Sequence, residues 1–157
     1  MRKLLILMVV VLLGGCIITP NIESADEIVG GWECESKDDF LGQLLYRDKI
    51  DYNANGTFKK HSTVEIQMPG NPETYEIYID GIGGWMMKDG QLTEHLSKYD
   101  VAVSSNIPAR YADEFKNDLD LPQKGVWTLK PFGDNQALKT SQYGQKLTCK
   151  KTYGINN

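Results

Sequence analysis

The sequence predicts a mainly β domain, a barrel or a sandwich, with one short helix in a long late loop. Apolar and polar residues alternate over several runs, and turn-forming residues separate these runs. The helix is predicted because Ala112, Phe115 and Leu119 share one helical face after a proline. Counting from Ile28 gives eight strands. A chain of 157 residues is long enough for one such domain.

The strands can be placed in order by their alternation and by the turns between them. The second strand puts Tyr46, Asp48, Ile50 and Tyr52 on one face, and Asn55-Gly56 then predicts a turn. The third strand runs to residue 68, where two prolines flank Gly70 and Asn71. The remaining elements are predicted at residues 75–79, 92–98, 108–118 (the helix), 126–130, 136–140 and 145–152.

Composition excludes several classes of protein. With 41% hydrophobic and 24% charged residues the chain is too apolar to be disordered, and three cysteines are too few for a disulfide-framework miniprotein. A net charge of −4 argues against a broad nucleic-acid-binding surface, so no nucleic-acid partner is expected.

Each of the three tryptophans lies two residues after a glycine, and we interpret Trp32, Trp85 and Trp127 as structural aromatics near strand starts. The first of these motifs, Gly30-Gly31-Trp32, resembles the Gly-x-Trp that opens lipocalin and related calycin barrels. The resemblance implies an eight-stranded, up-and-down antiparallel barrel that often holds a small apolar ligand. In that family an arginine near the C-terminus packs over the first tryptophan. This chain has no arginine there, and Lys150 or Lys151 is expected to take its place.

Two cysteines lie in the first and last predicted strands. The start of the chain has the pattern of an export signal, described below, and exported proteins enter an oxidising compartment where disulfides form. The first and last strands are also neighbours if the barrel closes. We therefore predict a Cys34–Cys149 disulfide, with free buried thiols as the alternative.

The first sixteen residues have the pattern of an export signal, with Arg2 and Lys3 before ten aliphatic or methionine residues. A membrane-spanning helix is the alternative, but it needs about 20 apolar residues. The end of the segment, Leu13-Gly14-Gly15-Cys16, resembles the lipobox of bacterial lipoproteins. The resemblance implies that residues 1–15 are cleaved and that Cys16 is lipidated, with acyl chains such as palmitate. Two or three such chains would anchor the protein to the membrane stably.

The predicted lipid anchor sets the expected location and the domain boundaries. Residue 17 is isoleucine rather than aspartate, which favours the outer membrane, facing the periplasm, over inner-membrane retention. We interpret residues 16–27 as a lipidated tether, 28–153 as the β-barrel domain and 154–157 as a frayed tail. Cleavage removes Arg2 and Lys3 and takes the net charge from −4 to −6. Basic residues would then add little attraction to the membrane, so the lipid alone is expected to anchor the protein.

No catalytic or metal-binding spacing is present in the sequence. His61 and His95 are 34 residues apart and are expected at the surface, and the aspartates at 38–39 and 118–120 are expected to be solvated. The sequence contains no nucleophile elbow, phosphate loop or dinucleotide fingerprint. We expect no metal, no cofactor and no enzymatic activity.

The predicted interior contains charges as well as apolar side chains. Asp48, Lys60 and Glu94 share its faces, and a buried charge is costly unless it is paired. These groups either lie at the rim or pair structurally, or they line a partly hydrated cavity together with Tyr46 and contact a ligand. The predicted apolar core consists of Trp32, Tyr46, Ile50, Tyr52, Phe58, Val64, Ile66, Ile77, Ile79, Trp85, Met87, Leu92, Trp127, Leu129 and Leu147.

Three functions remain open at this point. The first is a non-catalytic binding module for a small amphipathic ligand, lipid-anchored in the bacterial envelope. The second is a protein-interaction module (an inhibitor, an immunity factor or an envelope-assembly factor) that uses the rim loops and the 104–122 insertion. A hydrolase is the third. A hollow barrel favours the first function, and a filled barrel favours the second.

Overall fold

The described part of the protein is a closed β-barrel with two short helices. The computed structural model describes residues 21–38, 43–67, 70, 72–118 and 121–152. The elements in chain order are α1 (Ala25–Ile28), β1 (Gly30–Asp38), β2 (Gln43–Tyr52), β3 (Thr57–Gln67), β4 (Thr74–Lys88), β5 (Gln91–Val103), α2 (Ala109–Asp118), β6 (Lys124–Gly133), β7 (Gln136–Ser141) and β8 (Lys146–Thr152).

Every strand pairs antiparallel with the next one along the chain, and β8 pairs back with β1. The predicted eight-stranded, antiparallel up-and-down barrel is therefore confirmed. Tight turns join several strands, such as Asp89-Gly90, where both residues have positive φ angles of 51° and 72°. The Asn55-Gly56 turn uses a glycine at φ 80° in the same way.

The seam between β1 and β8 carries a disulfide. Cys34 and Cys149 lie directly opposite each other in the ladder, with their Cα atoms 3.9 Å apart, and their sulfurs are bonded. The predicted pairing is confirmed. On the same seam the Lys151 ammonium lies 5.6 Å from the centre of the Trp32 ring, which is the position expected for Lys150 or Lys151. It also donates to the Glu27 carbonyl at 2.8 Å, and so ties the last strand to α1.

One end of the barrel, which we call the α1 end, is closed by the chain that leads into β1. Ser24 caps α1 in a capping box with Glu27, and Ile28 is completely buried. The Ile22 N–H donates to the Leu129 carbonyl at 2.9 Å. The predicted tether is thus partly ordered in the structure, because Ile22 packs in the core and residues 25–28 form α1. The rest of that tether, the lipobox and the 154–157 tail lie outside the described residues.

The opposite end, which we call the mouth, is reached by the segment between β5 and β6. Helix α2 begins at Ala109, one residue after the predicted start, and the Pro108 carbonyl accepts from its first turn. Ala112 and Phe115 pack against a cluster built on Ile77 and Ile79, as the predicted helical face requires. In the described part of the chain, no helix has the length and apolar character needed to cross a membrane.

The α1 half of the barrel is filled by large side chains. Trp32, Tyr52, Phe58 and Trp85 pack there with Ile28 and the disulfide. The Trp32 indole N–H donates to the Ile28 carbonyl at 2.8 Å, which satisfies a buried donor.

The β4 strand has an irregular register with β5 at Gly83, and the Phe58 ring lies against that point. A Cβ atom at Gly83 would come within 2.1 Å of the His95 carbonyl oxygen, so only glycine lets the two strands approach this closely.

The disulfide closes a loop of 115 residues, and a cross-link of that span restricts the unfolded chain strongly. We expect the Cys34→Ala/Cys149→Ala variant to lose about 4–5 kcal/mol of unfolding free energy in the chain-entropy model. Urea unfolding of the oxidised wild type, the reduced wild type and the variant measures this, and the last two should agree. Two reactive thiols in the mature, denatured, unreduced protein would contradict the disulfide.

Candidate ligand-binding site

The mouth half of the barrel interior is hollow. It contains a cavity of about 390 Å³ that lies between the strands and the segment after α2. The walls are largely aliphatic and aromatic, because inward positions of β3, β4 and β5 carry mostly apolar residues. The apolar wall residues include Val64, Ile66, Ile77, Ile79, Leu96, Phe115 and Leu121.

The floor of the cavity lies where the packed half begins, and an ion pair is part of it. The Lys60 ammonium is 2.9 Å from the Asp48 carboxylate. Asp48 is almost fully buried, whereas the Lys60 side chain is 19% exposed and lines the cavity. Lys60 is thus the member of the pair that lines the cavity, and Asp48 is not among the lining residues. The Lys60 ammonium also lies 5.5 Å from the centre of the Tyr46 ring, so its charge faces an aromatic surface.

A second ion pair lies beside the first and is closed off. The Lys139 ammonium is 2.6 Å from the Glu94 carboxylate and donates to the Tyr52 hydroxyl at 3.1 Å. The Tyr52 hydroxyl in turn donates to Glu94. The Trp127 ring lies 4.5 Å from the Lys139 ammonium and covers it from one side. With only 2% of its side chain exposed, Lys139 is buried on all sides.

The charges of these groups depend on a balance between burial and pairing. Burial lowers the pKa of Lys60, but Asp48 together with smaller contributions from Tyr46 and Glu94 outweighs burial, so the pKa of Lys60 is raised. Burial raises the pKa of Glu94, but the Lys139 and Lys60 cations outweigh it, so the pKa of Glu94 is lowered. For Lys139 burial outweighs the attraction of Glu94, and its pKa is lowered.

Both tyrosines of the site remain neutral hydroxyls. Burial raises the pKa of Tyr46, and burial together with Glu94 raises the pKa of Tyr52 well above its ordinary value. Their hydroxyl groups thus stay available as hydrogen-bond donors at neutral pH.

Two buried polar atoms have no hydrogen-bond partner among the described residues. They are the Trp127 indole Nε1 and one Asp48 carboxylate oxygen. The indole lies over Gly125, where an added Cβ would come within 2.6 Å of Nε1, and both residues line the cavity. Buried donors in proteins are nearly always paired. The Trp127 N–H is therefore a donor beside the cavity that still lacks an acceptor.

The structure brings the four predicted ligand-contacting residues together at the inner end of the cavity. Tyr46, Lys60 and Glu94 line the cavity, while Asp48 is paired with Lys60 and is not among the lining residues. The sequence left open whether the buried charges pair with each other or line a cavity. In the structure they do both, because each charge is paired and Lys60 and Glu94 also line the cavity. Of the three structural aromatics, Trp32 and Trp85 lie in the packed half, and Trp127 borders the cavity.

Lys139 was not predicted as an interior residue, although it lies in the predicted strand 136–140. Its signal was the alternation with Ala137, which places the lysine on the inner face of β7. The contribution of Phe115 and Leu121 to the cavity wall was also missed. A long insertion gives no pattern that shows where it folds back onto a barrel.

The histidines and acidic residues form no comparable site within the described ranges. His61 lies on the outer face of β3, half-exposed, with its Nδ1 2.7 Å from the Asp80 carboxylate, and His95 is exposed as well. No group of three potential metal-ligating side chains was found in the described part of the chain.

Comparison of the sequence with models of known protein families finds no match, and a search of curated proteins finds none either.

The Glu94–Lys139 pair offers a direct test of the closed part of the floor. Lys139→Met leaves the Glu94 carboxylate buried without its cation, which should cost about 3–5 kcal/mol of unfolding free energy at pH 7. Lys139→Met/Glu94→Gln removes both charges and should recover most of that loss. Denaturant unfolding of both single variants and the double variant gives the coupling energy. Additive effects of the two substitutions would contradict the pairing.

Proposed function

We propose that the protein is a lipid-anchored lipoprotein of the bacterial envelope that binds a small amphipathic ligand in the mouth half of its barrel. The observation that carries the proposal is the division of the interior into a packed half and a hollow half. The cavity of about 390 Å³ falls within the size range of small-molecule sites. It also combines apolar walls with a few polar groups, as such sites do.

The arrangement of the cavity favours a ligand with one apolar and one polar end. Ile77, Ile79 and Leu96 supply a wall that can only be covered by apolar groups. The charged groups lie at the floor, where Lys60 and Glu94 meet the cavity, and the neutral amides of Gln123 and Gln145 line it nearer the mouth. A ligand that is polar throughout would leave the wall unsatisfied, and a purely apolar ligand would cover charged groups without pairing them.

The hollow half favours ligand binding over the alternative function, in which the rim loops and the 104–122 insertion contact a protein partner. Part of that insertion, Phe115 and Leu121, faces the cavity. These side chains are thus engaged with the interior and contribute to covering it. An insertion used only for a protein partner would not need to line a cavity.

The position of the chain start is consistent with a lipid anchor at Cys16. The first described residues enter the barrel at the α1 end, where Glu23 lies against the Asp89-Gly90 turn. The mouth is at the opposite end of the strands. An anchor that precedes residue 21 therefore joins the barrel away from the cavity entrance.

Filling the cavity should abolish ligand binding without unfolding the barrel. Val64→Phe adds a ring to the inner face of β3, whereas Thr63→Phe adds the same ring to the outer face and is the matched control. We expect at least a tenfold loss of affinity for the uncharged dye N-phenyl-1-naphthylamine in Val64→Phe and little change in Thr63→Phe, in line with steric exclusion from a small site.

Fluorescence titration measures the affinity for this dye, and native mass spectrometry of the detergent-extracted protein detects any retained ligand. A dye that binds both variants equally, with no retained ligand, would point to the protein-interaction function.

Substitution of the predicted lipidated residue tests the location. In Cys16→Ala the thiol that would carry diacylglyceryl is absent, so the protein should lose both palmitate labelling and its retention in the membrane fraction. Cys34→Ala/Cys149→Ala is the matched control, because it removes cysteines but leaves residue 16 intact. Unchanged palmitate labelling in Cys16→Ala would overturn the lipobox interpretation.

A further inference from the structure

The two interior cations differ in what they can reach. Lys139 is enclosed by Glu94, Tyr52 and the Trp127 ring, and only 2% of its side chain is exposed. The Lys60 side chain is 19% exposed and borders the cavity. Both are charged partners of buried carboxylates. Only Lys60 can take a second partner from the hollow half.

Lys60 has one hydrogen-bond donor to spare. A lysine ammonium has three donors; Asp48 takes one through the oxygen 2.9 Å away, and the Tyr46 hydroxyl is a second partner. Attraction led by the aspartate keeps the pKa of Lys60 raised despite burial, so the ammonium stays protonated at neutral pH. Lys60 therefore presents a permanent positive charge at the inner end of a cavity with mostly apolar walls.

Two buried hydrogen-bonding atoms beside the floor are unpartnered among the described residues, the Trp127 indole N–H, a donor, and one Asp48 carboxylate oxygen, an acceptor. Trp127 lines the cavity, whereas Asp48 pairs with Lys60 and is not among the lining residues. Glu94 lines the cavity as well, but it already accepts from Lys139 and Tyr52. A ligand head that accepts hydrogen bonds would find partners here, whereas a cationic head would meet the Lys60 ammonium.

The charges of the floor sum to zero, because Asp48 and Glu94 are matched by Lys60 and Lys139. A single extra negative charge next to Lys60 is the smallest addition that uses the remaining donor of the ammonium. Above this level the wall is apolar as far as Ile66, Ile77 and Leu121. The site therefore matches a charged head at the floor with an apolar chain directed to the mouth.

We propose that the ligand is a single-chain amphiphile with a monoanionic oxyanion head, such as a carboxylate, and that Lys60 binds this head while the apolar wall covers the chain. This inference rests on the proposed ligand-binding function and specifies its ligand class. Lys60 is thus a specificity-determining residue. Charge-assisted hydrogen bonds are the stronger kind, so the head charge should change affinity by roughly tenfold or more.

The test compares three probes that share a ten-carbon chain, namely decanoate, 1-decanol and decyltrimethylammonium. Each competes at pH 7, below its micellar concentration, with the uncharged dye N-phenyl-1-naphthylamine bound to the full-length protein. We expect decanoate to displace the dye at a concentration roughly tenfold or more below that of 1-decanol, with decyltrimethylammonium the weakest. This order would hold although the neutral alcohol is the most apolar probe.

A variant that tests Lys60 must also remove the charge of its partner, Asp48. Lys60→Met alone leaves Asp48 buried without a cation and is expected to be destabilised. Lys60→Met/Asp48→Asn keeps the interior neutral, and whatever its affinity for the dye, decanoate and 1-decanol should displace the dye from it at similar concentrations. The exposed pair on the outer faces of β2 and β1 gives the matched control, Lys49→Met/Glu33→Gln, which should keep the preference for decanoate.

The outcomes separate the two proposals. If the dye binds but wild type and Lys60→Met/Asp48→Asn rank the three probes identically, the anionic head is wrong and the binding function stands. If decyltrimethylammonium is preferred, the site favours a cationic head and the proposed anionic head is wrong. If neither the dye nor any probe binds, the ligand-binding function fails, and the ligand class fails with it.

Discussion

Closure between β1 and β8 is the constraint on which the rest of this structure depends. An open sheet exposes unpaired backbone groups at two edges, and a barrel removes both edges at once. The last strand meets the first over five residue pairs, and the Cys34–Cys149 disulfide lies within that short ladder. Closure also creates an inside. It turns a face that alternation makes apolar into an enclosed space, where each charge needs a partner.

The buried ion pairs determine how that space is divided. Asp48 and Lys60 project from β2 and β3, and Glu94 and Lys139 project from β5 and β7, so the charges converge from opposite walls. Such pairs contribute little net stability, because desolvation offsets most of the attraction. They do fix geometry, since each group must stay within hydrogen-bonding distance of its partner. The packed half thus ends at a defined polar layer, and the hollow half begins there.

The sequence predicted the parts of this molecule that depend on local periodicity. Alternation identified the inner faces, and cysteines in the terminal strands predicted the disulfide once closure was assumed. The chain before β1 was misjudged, although Ser24 and Glu27 have the spacing of a capping box that could have revealed α1. Lys139 was missed because its six-residue strand gives only a short alternation. The wall that Phe115 provides depends on a long-range contact, which no local pattern encodes.

Side-chain size explains why the barrel is packed at one end and hollow at the other. An eight-stranded barrel can be filled by its own side chains only where these are large. At the α1 end Trp32, Phe58 and Trp85 belong to one buried cluster, in which the Tyr52 ring contacts Phe58 and Trp85. Toward the mouth the same strands carry Val64 and Ile79, whose short branched side chains stay near the wall. The cavity at the mouth therefore results from the small size of the inward side chains there. The segment after β5 covers this cavity but does not fill it.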